Sequence, residues 1–155
     1  MTNLVKPATS ADIEVLVDVM AKFYEESGYG LNKELSRQAF GELIEDPKLG
    51  QVWLLQHNNQ VAGYIALTVC FSMEYGSRVA FVDDLFVRSK YRGLGLGQYA
   101  MEVLMAECYS QGVASVRVEV GKSNEPAKNL YAKFGFQDND RQLLTVRLKE
   151  ETTAL

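Results

Sequence analysis

The chain of 155 residues is 47% hydrophobic and 23% charged, a balance that suits one compact domain with a real core. A net charge of −4 and a pI near 5.1 count against a nucleic-acid partner, which favours a basic face. No run nears the ~18 apolar residues of a membrane span, and the start MTNLVKPATSADIEV has no secretory pattern, so a cytoplasmic protein with no membrane partner is expected.

Leu4 to Lys6 reads as a short opening strand, stopped by Pro7. Thr9 with Asp12 marks a helix start, and Ile13, Leu16, Val17, Met20, Phe23 and Tyr24 then keep helical spacing. Ser27-Gly28-Tyr29-Gly30 breaks that helix. A second runs from about Glu34 to Glu45 and stops before Asp46-Pro47. Strand formers then take over: Val52 to Gln56 and Val61 to Val69 flank Asn58-Asn59, which suits a tight hairpin turn. His57 reads as a polar turn residue with no Cys or His cluster near it, so no metal site is expected. A loop from Ser72 to Ser77 leads into a third long strand, Val79 to Val87. Trp53 and the isolated Cys70 and Cys108 read as buried core residues.

Beyond Val87 comes RSKYRGLGLGQYA, after which Leu96, Ala100, Val103, Leu104 and Cys108 share one face of a helix ending near Gly112. Val116, Val118 and Val120 alternate with Arg117 and Glu119 in a half-buried strand pattern. Ser123-Asn124-Glu125-Pro126 opens another helix and Gly135 closes it. Leu143 to Leu148 supply a last strand, and the tail after Lys149 frays. This order predicts an α+β fold over a single domain, residues 1–155, rather than regular βαβ winding.

Gly93, Gly95 and Gly97 leave the backbone bare between a strand and a helix. Gly95 to Ala100 matches the dinucleotide pattern G-x-G-x-x-G/A, with Glu119 placed as an acidic ribose ligand. Five residues, Arg88 to Arg92, separate Val87 from Gly93 where that pattern needs a tight turn, and too little chain follows for a doubly wound sheet. A Walker loop is excluded, because no Gly-Lys-Ser/Thr follows.

Arg92-Gly93-Leu94-Gly95-Leu96-Gly97 instead resembles the Q/R-x-x-G-x-G/A loop of the GNAT superfamily of acyl-coenzyme A N-acyltransferases. Asn124, Ala127 and Tyr131 stand at that family's N-x-x-A-x-x-x-Y spacing, followed by Gly135-Phe136, and the similarity covers roughly residues 79 to 137. The resemblance implies a mixed, mostly antiparallel sheet with helices on both faces, and acetyl-CoA as cofactor. Arg92, Gly93, Leu94, Gly95, Leu96, Gly97 and Gln98 would then hold the pyrophosphate, where bare amides and a helix N-terminus favour negative charge.

By the same resemblance, backbone groups of Leu85, Phe86 and Val87 bind the pantetheine arm, and Asn124 bonds the pantetheine or caps its helix. Tyr131 acts as general acid at the thioester sulfur. Asp83 serves as base or as electrostatic anchor for a cationic amine, while strict strand alternation would turn Asp84 the other way. The acceptor pocket draws on Tyr24, Glu25, Glu26, Tyr29, Met73, Glu74 and Tyr75 together with Asp83, an acidic and aromatic set suited to a small organic cation. The expected activity is acetylation of a small-molecule primary amine of the diamine, polyamine or amino-acid type. A protein or peptide acceptor and a non-catalytic coenzyme A-binding module are the alternatives. Dimers are frequent in the family, so a homodimer is compatible with the resemblance.

Overall fold

The structure is a computed structural model that describes residues 2–149. Its elements run β1 (Asn3–Pro7), α1 (Ile13–Glu26), α2 (Lys33–Glu45), β2 (Gly50–His57), β3 (Gln60–Ser72), β4 (Ser77–Val87), α3 (Leu96–Ser110), β5 (Val116–Val118) and α4 (Glu125–Lys133). The strands form one sheet in chain order; the first four are antiparallel and β5 joins β4 in parallel. No helix among the described residues is long and apolar enough to cross a membrane.

The central strands are apolar on both sides because helices cover both faces. On one face Leu16, Val17 and Val19 of α1 and Phe40 of α2 pack on Val52, Leu54, Tyr64 and Phe86. On the other, Leu96, Ala100, Met101 and Leu104 of α3 and Tyr131 of α4 pack on Trp53, Leu55, Ile65 and Val82. Val52 and Leu54 thus serve one layer, Trp53 and Leu55 the other, so period-two alternation sorts an unbroken apolar run. Local signals agree with this order. The amide of Thr9 bonds the Asp12 carboxylate at 2.8 Å ahead of α1. Asn58 and Asn59 take the left-handed φ values of 48° and 65° that a two-residue hairpin needs.

Two departures from regularity in β4 shape the site. Its register with β3 passes from Ala66 opposite Asp84 to Leu67 opposite Val82, which leaves Asp83 as the extra residue of a bulge. Phase changes there. Ala80 and Val82 face the α3 layer, but beyond the bulge Leu85 and Val87 do, while Phe86 turns to the α1 layer. The second departure is a splay. β5 pairs only with Ala80 to Val82, so residues 83–87 have no strand neighbour on that side among the described residues.

Two sequence expectations are corrected. Leu143 to Leu148 form no strand; residues 137–149 lie on the surface without regular structure, because an apolar pattern cannot make a strand where no neighbouring edge meets it. Cys70 is exposed rather than buried, since it sits with Phe71 and Met73 on the far end of the β3–β4 hairpin, which stands in solvent. Cys108 is buried as expected. β5 ends at Val118, short of Val120. The tail beyond Lys149 lies outside the described residues.

Candidate active site

The glycine loop is built around left-handed backbone. Gly95 is the N-cap of α3 with φ 81° and ψ 7°, a conformation that costs a side-chain-bearing residue about 1–2 kcal/mol. A Cβ at Gly95 would meet nothing within 4 Å, so the demand is for the dihedral and for open approach from outside, not for packing room. The first main-chain bond of the helix is Tyr99 N–H to the Gly95 carbonyl at 3.0 Å. The amides of Gly93 through Gln98 therefore find no main-chain acceptor among the described residues. The Asn3 amide pins the loop from β1 by donating to the Leu94 carbonyl at 2.9 Å. Several unsatisfied donors at the positive end of a 15-residue helix fit a diphosphate.

Arg92 is a brace. Its Nε donates to the Val87 carbonyl at 2.8 Å, and its Nη2 meets the Glu26 carboxylate at 2.8 Å, tying the loop to the end of α1. The Glu26 charge would oppose a phosphate held at this loop. Glu26→Gln is expected to shift stability by less than ~1 kcal/mol, because the pair is partly exposed. It should tighten coenzyme A binding at low ionic strength, read by calorimetric titration; weaker binding would mean that the pair chiefly positions the loop.

On the splayed side of β4 the main-chain groups of alternate residues, Leu85 and Val87, turn away from β3 while Phe86 faces it; the Val87 carbonyl is held by Arg92, and an amide-bearing arm can pair with the rest as an added strand. Gly63 backs this edge: a Cβ there would run into the Phe86 carbonyl, so only glycine lets β3 lie so close behind it. Across the gap Tyr131 projects from α4, 9% exposed, its ring against Phe136 at 5.6 Å. Its hydroxyl makes no hydrogen bond among the described residues. Burial, and secondarily the charge of Asp84, push its pKa upward, so the phenol keeps its proton at neutral pH. Asn124 caps α4, its Oδ1 accepting from Ala127 N–H at 3.2 Å.

Sequence reasoning missed Asp84 and Tyr64. Tyr64 is fully buried, and its hydroxyl donates to Asp84 at 2.9 Å. Burial pushes the Asp84 carboxyl up to about 7; the Tyr64 bond works against that rise and the Asp83 charge adds to it. Partial burial also raises Asp83, which reaches the surface at the bulge. The adjacent pair Asp83-Asp84 was visible in the sequence, but the phase change that aims Asp84 at Tyr64 was not.

The acceptor candidates separate into two groups. Tyr24 lies near enough to Tyr64 to raise its phenol further and meets Tyr29 edge-on at 6.3 Å, so both rings belong to the carboxylate side. Glu25 pairs with Lys22 at 3.6 Å on an exposed flank. Glu74 and Tyr75 stand on the β3–β4 turn, roughly 25 Å along the strand from Asp83. There Glu74 binds Arg141 at 2.9 Å, and Tyr75 lies under Arg117 at 5.7 Å. The structure does not bring Glu74 and Tyr75 to Asp83.

Residues 15–136 match the model of the acetyltransferase (GNAT) family. An uncharacterized N-acetyltransferase, YycN, of Bacillus subtilis is 27% identical over 152 residues, which span 90% of this chain and 96% of that protein. Among solved structures, an integron cassette protein from the mobile metagenome of Cole Harbour Salt Marsh superposes with a TM-score of 0.87 at 38% identity, covering 96% of this chain and 92% of its own. A predicted acetyltransferase of Clostridium acetobutylicum, crystallised with acetyl-CoA, has the same fold with a TM-score of 0.79 at 20% identity, over 94% and 96% of the two chains.

Proposed function

Since the chain belongs to the GNAT family of acetyltransferases, which use acetyl-CoA, we propose that it acetylates the primary amine of a small molecule by direct attack. The observation that carries this reading is the pair Asp83 and Asp84, set at the splayed edge of β4 and flanked by the rings of Tyr24, Tyr29 and Tyr64. Carboxylates beside aromatic faces recognise a compact organic cation. Glu25, Glu74 and Tyr75, expected as acceptor residues, have no part in this reading.

Acetyl-CoA, when bound, supplies an acetyl group activated as a thioester. The amides of Gly93 through Gln98 hold its diphosphate, and the β4 edge at Leu85 to Val87 takes the pantetheine. Asp83 meets the incoming ammonium at the cleft and accepts its proton, directly or through water, since only the free amine can attack. Asp84 stands behind it as a second, partly protonated carboxylate, anchored by Tyr64. Tyr131 gives its proton to the departing thiolate.

The carboxylate pair sets a pH signature. Below about 7 Asp84 gains its proton and the negative field around the amine weakens, so kcat/KM should fall on the acid side. Stability moves the opposite way. The folded protein binds this proton more tightly than the unfolded chain, whose carboxyl titrates near 3.8, so stability is lost as pH rises toward and through 7. Asp84→Asn should therefore raise Tm more at pH 8 than at pH 4, while flattening the acid limb of kcat/KM. Equal Tm gains at both pH values would remove the buried charge from the account.

A thiol-release assay with acetyl-CoA against diamines, polyamines, amino acids, amino sugars and peptides tests the acceptor. Turnover concentrated on small amines with a second cationic or polar group is expected. Turnover on peptides alone would overturn the small-amine reading.

A further inference from the structure

The only histidine of the chain, His57, lies at the end of β2 and has no part in the proposed chemistry. It stands opposite Asn3 of β1, and both residues are half-buried. The Asn3 side chain is held at both ends. Its Nδ2 donates to the Leu94 carbonyl at 2.9 Å, and its Oδ1 lies 2.7 Å from Nδ1 of His57. A carbonyl only accepts, so Nδ2 faces Leu94 and Oδ1 faces the ring. Nδ1 of His57 therefore carries the ring proton and donates. The other ring nitrogen, Nε2, accepts from Asn58 Nδ2 at 3.4 Å, and Asn58 Oδ1 accepts from the Thr2 amide at 2.9 Å. Four hydrogen bonds thus run one way, from Thr2 through Asn58, His57 and Asn3 to the glycine loop.

This relay ends at the least restrained peptide of the loop. Leu94 lies between Gly93 and Gly95, at φ 78° and 81°, and glycine on both sides lets a peptide unit swing over at little cost. Leu94 is 37% exposed, so its side chain gives little hold. No main-chain donor reaches its carbonyl among the described residues. Asn3 is what fixes that carbonyl. The described residues contain no cis peptide, and a trans peptide sets the following N–H opposite to the carbonyl. Drawing the Leu94 carbonyl toward β1 therefore turns the Gly95 N–H away from β1, as one of the donors without a main-chain acceptor.

We propose that His57 and Asn3 are positioning residues for the cofactor: the relay locks the Leu94–Gly95 peptide so that the Gly95 amide is aimed at the diphosphate before coenzyme A arrives. The inference rests on the reading that Gly93 to Gln98 hold that group. An amide already aimed binds an anion without the entropic cost of ordering the peptide first. His57 has one other contact with the loop's approach, its ring meeting Tyr91 edge-on at 6.0 Å. Packing on Tyr91 is thus the competing account of why a histidine stands there.

Coenzyme A affinity by calorimetric titration separates the two, with Tm by circular dichroism to show that each variant folds. Asn3→Leu keeps the size and removes the donor; it is expected to weaken binding by roughly three- to tenfold, the worth of one net hydrogen bond. His57→Phe keeps a ring against Tyr91 and loses the donor, while His57→Asn gives up the ring and puts an amide N–H where Nδ1 stood. The relay requires that His57→Asn bind closer to native than His57→Phe; packing requires the reverse. Because His57 acts through Asn3, Asn3→Leu combined with His57→Phe should bind no more weakly than Asn3→Leu alone. Native affinity in Asn3→Leu, the reversed order at position 57, or losses that multiply in the double variant would each overturn the proposal. Gly95→Glu in the same titration then tells which level failed. If it has lost binding, the diphosphate reading stands without the relay; if it binds as native does, that reading falls as well.

Discussion

Tyr131→Phe is expected to lower kcat by roughly 10²–10³-fold, the range for loss of a positioned proton donor, while the Kd for coenzyme A stays within about twofold. The two effects separate because the substitution removes one oxygen and nothing else. The ring, packed on Phe136 and largely buried, keeps its contacts. Among the described residues the hydroxyl has no hydrogen-bond partner that would be stranded, so the usual penalty of an orphaned buried group is absent there. What disappears is an interaction made as the sulfur leaves, and that appears in kcat rather than in binding. Single-turnover thiol release against calorimetric titration checks both halves. An unchanged single-turnover rate would remove Tyr131 from the chemistry.

Gly95→Glu should weaken coenzyme A binding by at least about 10²-fold. Two penalties act together. A side chain at φ 81° is strained by about 1–2 kcal/mol, and a carboxylate at the helix N-cap stands among the donors that a diphosphate needs. Two further substitutions divide them. Gly95→Asn keeps the left-handed backbone at small cost and no charge, and is expected to bind within about tenfold of the native chain. Gly95→Ala carries the strain alone and should fall between them. If the glutamate variant bound as tightly as native, the diphosphate would lie elsewhere.

What the sequence disclosed follows physical lines. β2, β3 and β4 were legible because strand formers run long and unbroken, and Asn58-Asn59 because its turn demands positive φ. The loop was legible because three glycines at alternate positions are hard to explain otherwise. The bulge at Asp83 was hidden, since an inserted residue leaves no mark in a run that is buried on both faces; with it went the pairing of Asp84 to Tyr64. Glu74 and Tyr75 were grouped with the acceptor side because loops read as clustered, whereas β3 of 13 residues and β4 of 11 carry that turn far from the centre. The bracing of Arg92 by Glu26 joins residues 66 apart in the chain, beyond any local pattern. The strand expected at Leu143 to Leu148 rested on an alternating apolar face alone, and such a face makes no strand unless a neighbouring edge meets it.

Deleting Asp83 would put β4 back in step along its whole length. Asp84, Leu85, Phe86 and Val87 would keep their layers, because Leu67 opposite Val82 and Ala66 opposite Asp84 become consecutive pairs once the extra residue is gone, and Tyr64 would keep its acceptor. What such a deletion removes is the local twist of the bulge and the exposed carboxylate at 83, not the packing of either layer. Libraries meant to change the acceptor can therefore sample the length of β4 at 83 as well as the side chains at 83 and 84.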